Sequence, residues 1–307
     1  MKALFLRTWT QDCQKHWLSL QCLGCDIATL QYDDIPHERH GELIDRAKEI
    51  APDAIVFIGA IEQYHNKPVP RADILKKFRD VAPTIHICSD ASDYPWWPYL
   101  EDYNTSECFD AQISIDGNNE CPISGFKNGL VKLTPTDPSE FKPLPWEERT
   151  VQIGITGGMG HHERANLIAY MTASPDVQWL KNVSYSEMAA FMCRSKISVN
   201  HAMNGTGDKF HVKGRVIETA WAGACLMERS NPHTGRWFKE GTEYIGYGDF
   251  KDADKKVKWA RANESEVQKM ASLFHERVTK EHHPRIFWRD VFEIAGVKDE
   301  ICRLENV

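Results

Sequence analysis

Short apolar runs alternate along this chain with stretches whose apolar residues recur at helical spacing. Residues 2–7 read as a buried strand, 11–22 as a helix and 26–31 as a second strand, a β-α-β opening. A helix over 41–50, a strand over 53–59, a helix over 72–81 and a strand over 84–88 continue the pattern, with short strands at 111–115 and 130–133. Residues 134–146 then carry four prolines among polar residues, which no helix interior or central strand tolerates, so this stretch is expected to link two domains. Beyond it the alternation resumes: strands over 150–156, 177–180, 196–200, 225–228 and 244–247, helices over 165–172, 186–194, 252–261 and 264–281. His283-Pro284 breaks the last of these before a final helix over 285–294. Strands alternating with helices imply parallel sheets covered on both faces, an α/β protein of two domains.

Composition narrows the class. At 307 residues the chain can hold two domains of about 150 residues, each able to bury its own core. Hydrophobic residues at 42% and charged residues at 26% exclude a disordered or fibrous chain. The net charge of -7, without a long basic block, gives no footprint for duplex nucleic acid or an anionic membrane, so phosphate recognition has to be local. No apolar run approaches the roughly 20 residues of a membrane span, and Met1-Lys2 leads straight into a strand, so the expected location is the cytoplasm. Nine scattered cysteines read as reduced core residues. Cys22 and Cys25, with Cys13 and His16 upstream, suggest zinc or redox chemistry, but no second Cys-x-x-Cys completes a tetrahedral set.

The loop after the first strand, Thr8-Trp9-Thr10, lacks the Gly-x-Gly-x-x-Gly of a dinucleotide site. Ligands of open α/β sheets bind beyond the carboxyl ends of the strands, so Thr8, Trp9, residues 59–62 and residues 89–93 should face one crevice. Within the run from Ser89 to Trp97, Asp90 and Asp93 could position an acceptor hydroxyl or act as general base, and Trp96 or Trp97 could stack on a sugar ring. The alternative is an Asp-capped turn with its aromatic rings in the core. In the second half, Gly157 and Gly158 open a strand-to-helix turn whose backbone N-H groups suit phosphate. Arg164 either adds a charge to that turn or, on the favoured reading, lies on the solvated face of the following helix, and the exposed pair His161-His162 is as readily idle as functional. Residues 213–223 read as a helix start. Val216, Ile217 and Ala220 form one face, while Arg215 and Glu218, three apart, form another. With Lys213, the free N-H groups and the helix dipole, this end suits a diphosphate, and Glu218 could accept hydrogen bonds from a ribose diol. A surface Arg215–Glu218 ion pair is the competing reading.

The run from Lys213 to Ser230, with residues 240–259, resembles nucleotide-sugar glycosyltransferases of the GT-B fold (glycosyltransferase group 1), particularly the spore-maturation, CgeB-like group. That resemblance implies two Rossmann-like domains facing each other across a cleft, an acceptor-side domain over 1–146 joined by a terminal helix (285–307) and a nucleotide-sugar domain over 147–284. It implies that Glu218 contacts the donor ribose, with Thr219 where the family usually has Ala, and that Phe210 stands where many retaining members carry a second Glu. Ser89-Asp90 stands where a His-Asp pair is common. Donor contacts then fall to Gly157, Gly158, Lys213, Arg215 and Glu218, with Val183 and Tyr185 near the base, and the loop 201–211 ordering on the donor. Arg215 would stabilise the leaving diphosphate, Asp90 or Asp93 would serve as base if the reaction inverts, and Thr8, Trp9, Ser89 and Trp96 would meet the acceptor or sugar. The implied activity is transfer of a hexose from a UDP-sugar such as UDP-glucose to a hydroxyl of an unidentified glycan, lipid, protein or small molecule, with no metal or other cofactor. A nucleotide-sugar epimerase and a non-catalytic binding module are the alternatives.

Overall fold

The computed structural model describes residues 1–8, 14–59, 68–158, 162–203 and 209–297. The chain divides into two compact units, one made of Met1–Asp137 with Pro284–Val307 and the other of Pro138–His283. The division falls ahead of the boundary expected at 146. Trp146 is 8% exposed and lies in the second unit's core, its indole N-H donating to Glu264 Oε1 at 2.9 Å.

The first unit holds strands β1 (Lys2–Arg7), β2 (Asp26–Gln31), β3 (Ala54–Ile58), β4 (Thr84–Cys88), β5 (Ala111–Ser114) and β6 (Gly129–Val131). They form a parallel sheet in the order β2-β1-β3-β4-β5-β6. Because side chains alternate across a strand, β1 sends Ala3 and Phe5 to one face and Leu4 and Leu6 to the other, and both sets are buried. Helix α1 (Gln14–Gln21) covers the first face. Helices α2 (Gly41–Ile50) and α3 (Ala72–Lys77) cover the second, through Leu43, Ile44, Ala47 and Leu75. The helix expected over 72–81 tightens into a 3-10 turn at Phe78–Asp80. Helix α4 (Trp97–Thr105) was not foreseen; Pro98 sits in its first turn, where a missing N-H costs nothing.

The second unit holds β7 (Val151–Thr156), β8 (Val177–Leu180), β9 (Ser195–Asn200), β10 (Cys225–Arg229) and β11 (Ile245–Tyr247), parallel in the order β11-β10-β9-β7-β8. Its helices are α5 (His162–Met171), α6 (Tyr185–Cys193), α7 (Gly214–Trp221), α8 (Thr234–Trp237), α9 (Phe250–Ala262) and α10 (Glu264–Glu281). Helices α5, α9 and α10 bury Leu167, Ile168, Met171, Val257 and Val267 against Ile153, Ile155, Ile197 and Val199. The last helix, α11 (Pro284–Ala295), belongs to the first unit, where Phe287, Trp288, Val291 and Phe292 enter the core beside Phe5 and Leu20.

In each sheet the chain places its second strand on one side of the first and its third strand on the other. The switch point therefore lies between β1 and β3 in the first unit and between β7 and β9 in the second. A crevice opens at the carboxyl ends of such strand pairs, and these ends are Thr8 and Gly59, and Gly157 and His201.

Candidate functional site

Around the second unit's switch point, β7 ends in a turn at Gly157, whose φ of +102° suits glycine and where an added Cβ would come within 2.8 Å of Arg164 Nη2. That guanidinium donates to the Thr156 carbonyl at 2.6 Å. Arg164 is thus half-buried over the turn instead of on the solvated helix face expected for it. Its guanidinium is held below the usual arginine range by burial first and by the neighbouring charge of Arg215 second. Gly158 is exposed, and Trp179 Nε1 donates to the Gly157 carbonyl at 2.9 Å. His161, and the side chain of His162, lie outside the described residues.

Helix α7 starts at an extended Lys213. Val216, Ile217 and Ala220 are buried, and so are Glu218, Thr219 and Trp221, so the helix is covered nearly all round. Arg215 pairs with Glu218 through Nη1 and Oε2; the arginine side chain is 29% exposed and the glutamate 0%. A surface ion pair is excluded by that burial, and so is a glutamate displayed on an open helix face. Among the described residues Glu218 Oε1 has no hydrogen-bond partner. A buried carboxylate oxygen without a donor is rare and costly. Thr219, in place of alanine, donates its hydroxyl to the Arg215 carbonyl at 2.6 Å, an internal helix bond.

Three side chains not singled out from the sequence join this edge. His201 follows β9 and is 2% exposed; its Nε2 lies 3.3 Å from Arg229 Nη1 and 3.4 Å from Glu163 Oε2. Arg229, at the end of β10, also pairs with Glu163 in the first turn of α5 and lies over the Phe210 ring at 5.3 Å. Burial, and then the Arg229 charge, push His201 down to about 4, so its ring is neutral near pH 7. These contacts join segments tens of residues apart and have no local sequence signal. Residues 204–208 of the loop expected to order on the donor lie outside the described residues.

Val183 is half-buried. Tyr185 opens α6, one residue ahead of the expected start at 186, with its ring edge-on to Phe141 at 6.2 Å. The cap is Ser184, and with Glu187 it forms a reciprocal capping box.

In the first unit, Thr8 is 4% exposed and Trp9 lies outside the described residues, as do residues 60–67. The turn after β4 leaves Ser89 and Asp90 half-buried and buries Ser92 and Asp93. Asp116, 2% exposed, accepts from both the backbone N-H (2.9 Å) and the hydroxyl of Ser92, and from Ser114 Oγ at 2.5 Å. Trp96, expected at a sugar, is 7% exposed and packs with Cys88, Leu100 and Ile123, because its position in the turn aims it at the core. The exposed ring of this segment is Tyr94, at 69%. Cys25 is buried and Cys22 exposed, and among the described residues no three histidine, cysteine or carboxylate side chains gather as a metal site. Among the described residues no helix is long and apolar enough to cross a membrane.

Residues 142–292 match the family model described as glycosyl transferase-like. No curated protein sequence matches the chain. Among solved structures, the chain is similar to Anabaena HepE crystallised with UDP and glucose, at 10% identity and a TM-score of 0.57, with all of both chains covered. It is similar to a glycosyltransferase from Rickettsia africae at 10% identity and a TM-score of 0.63, covering 97% of this chain and 98% of that one. Sucrose-phosphate synthase from Thermosynechococcus elongatus gives 12% identity and a TM-score of 0.61, covering 100% and 99%. At such identities the likeness speaks for the fold. The chain has a two-unit parallel α/β fold like that of GT-B glycosyltransferases, and the stretch that matches the glycosyl transferase-like model spans nearly all of the second unit and most of the last helix.

Proposed function

We propose that the protein transfers a hexose from a nucleotide sugar, of the UDP-glucose class, to a hydroxyl acceptor, as a member of the CgeB-like group of GT-B enzymes. The second unit holds the donor. The observation that carries this reading is Glu218: a fully buried carboxylate with Oε2 on Arg215 and Oε1 without a partner among the described residues, inside the stretch that matches a glycosyl transferase-like family. A ribose hydroxyl would supply the missing donor. Arg164 and Arg215 carry like charges close enough to be felt in the Arg164 guanidinium, and an anion between them relieves that repulsion. A diphosphate meets both, together with Lys213 and the N-terminus of α7. As the glycosidic bond breaks, charge builds on the diphosphate, and these groups stabilise it. The acceptor hydroxyl loses its proton to Asp90 or Asp93 if the anomeric centre inverts. No step in this scheme calls on a metal ion, and the site we assign to the reaction is cytoplasmic.

Calorimetric titration of UDP into wild type, Arg215→Ala and Glu218→Gln tests the assignment. Removing a charge-assisted or buried hydrogen bond should weaken UDP by tenfold or more in each variant. Wild-type UDP affinity in both, or no UDP binding by the wild type, removes the site. Conversion of a UDP-sugar without any acceptor points to an epimerase.

A further inference from the structure

Within the turn after β4, the 3-10 segment Tyr94–Trp96 runs directly into α4. Residues three apart in such a turn stand over one another, so Tyr94 and Trp97 share a face while Trp96 points inward. Their ring centroids are 5.5 Å apart at 56°. Trp97 is half-buried, and its indole N-H donates to the Ala91 carbonyl at 3.1 Å. Pro95 and Pro98 stiffen the segment, and Asp116 holds Ser92 by two hydrogen bonds at its base. Asp90 sits on the same turn, its carbonyl accepting from the Asp93 N-H at 3.0 Å. Two inclined aromatic rings, one exposed and one half-buried and anchored, are thus presented on the same turn as a half-buried carboxylate at the carboxyl end of a central strand.

We propose that Tyr94 and Trp97 form the platform on which the acceptor docks, and that the acceptor is a carbohydrate. An aromatic face takes the apolar C-H face of a pyranose, and a carboxylate accepts hydrogen bonds from its hydroxyls. The carboxylates on this turn and the net charge of -7 disfavour an anionic lipid or a nucleic acid on the same surface. Because the rings are held before the sugar arrives, little conformational freedom is lost on docking. This deepens the transferase reading and rests on it for the word acceptor, while the binding itself is independent of the donor.

Maltose, cellobiose and N,N′-diacetylchitobiose, titrated against the full chain with saturation-transfer NMR and tryptophan fluorescence, provide the test. At least one disaccharide should bind the wild type and shift its tryptophan emission. Tyr94→Ala should weaken it about tenfold, the contribution of one stacked ring. Tyr94→Phe should bind as wild type, because the ring and not the hydroxyl makes the contact. UDP affinity, measured on the same samples, should be equal in all three proteins. The proposal is overturned if none of the three sugars binds the wild type, or if Tyr94→Ala binds them as tightly. Loss of UDP binding by the wild type instead strikes the donor assignment and leaves the platform standing.

Discussion

Burial decides the charge of Glu228, which is 0% exposed and accepts a 2.7 Å hydrogen bond from Asn200 Nδ2. Removal from water pushes its carboxyl up to about 7, the nearby Thr234 hydroxyl and the bond from Asn200 oppose that rise, and the charge of Glu240 adds to it. The folded chain therefore holds a proton there that the unfolded chain releases near pH 4.5. Stability from this group is full below that pH, falls as pH rises, and is lost above 7, in all up to about 3 kcal/mol. Glu228→Gln keeps an oxygen for Asn200 and cannot ionise, so its denaturation midpoint should exceed the wild type's at pH 8 and match it at pH 4.5. His201 has the opposite sign. Its pKa of about 4 lies below the ordinary 6.5, so the stability it contributes is present above 6.5 and is lost as pH falls toward 4. The two windows overlap, so in wild type the loss from Glu228 offsets the gain from His201 between about pH 4.5 and 6.5. Glu228→Gln keeps only the His201 contribution and should gain stability across that range, which urea unfolding across pH 4 to 8 reads.

Single residues also tie elements together, and Arg149 does so most. Its Nη1 donates to the Ser195 carbonyl at 2.7 Å, Nη2 to the Ala222 carbonyl at 3.1 Å and Nε to the Leu144 carbonyl at 3.1 Å. The linker, the start of β9 and the end of α7 share one guanidinium, and Gly223 (φ +63°) leaves it room, since a Cβ there would meet Nη2 at 2.9 Å. Arg149→Ala strips donors from buried carbonyls and should cost about 3 kcal/mol in a chemical-denaturation midpoint. Arg149→Lys should recover only part, because an ammonium lacks the planar fork. Gly157→Ala should cost about 1–2 kcal/mol and displace Arg164 from the Thr156 carbonyl, so UDP affinity should fall along with stability. The strands that frame these contacts were legible, because fully buried parallel strands are continuous apolar runs, as at residues 54–58. So was the Arg215–Glu218 pairing, which follows from helical spacing. The Ser184–Glu187 capping box was present as Ser-x-x-Glu, but starting the helix at 186 hid it. Arg149, His201, Arg229 and Asp116 were not legible, since each acts on backbone or side chains brought near only by the sheet. Trp96, expected at a sugar, enters the core and Tyr94, given no role from the sequence, meets water, because the phase of a turn decides which ring is exposed.

At the scale of the molecule, sequence order and structural unit do not coincide. The first sheet is complete by Val131, yet its core closes only with α11, more than a hundred residues later. Trp288 is fully buried, lies edge-on to Phe5 at 6.1 Å and donates its indole N-H to Ser19 Oγ at 2.9 Å. Phe287, Val291 and Phe292 are buried around it, and Lys132 pairs with Asp290 at the rim. Each large apolar side chain contributes about 1.5–3 kcal/mol by burial, so removing four forfeits an amount comparable to the 5–15 kcal/mol stability of a whole domain. A fragment of residues 1–137 should therefore fail to fold cooperatively, with low near-ultraviolet dichroism and dye binding to exposed apolar surface. A fragment of residues 138–283 carries its own sheet, helices and core and should unfold in a single transition. On the proposed assignment that second fragment also binds UDP, since Arg164, Arg215 and Glu218 all lie within it. In the full chain, Trp288→Ala isolates the same effect, with an expected loss of about 3–5 kcal/mol confined to the first unit. If calorimetry finds residues 1–137 folded as stably alone as within the full chain, α11 is an appendage and not the last wall of that core.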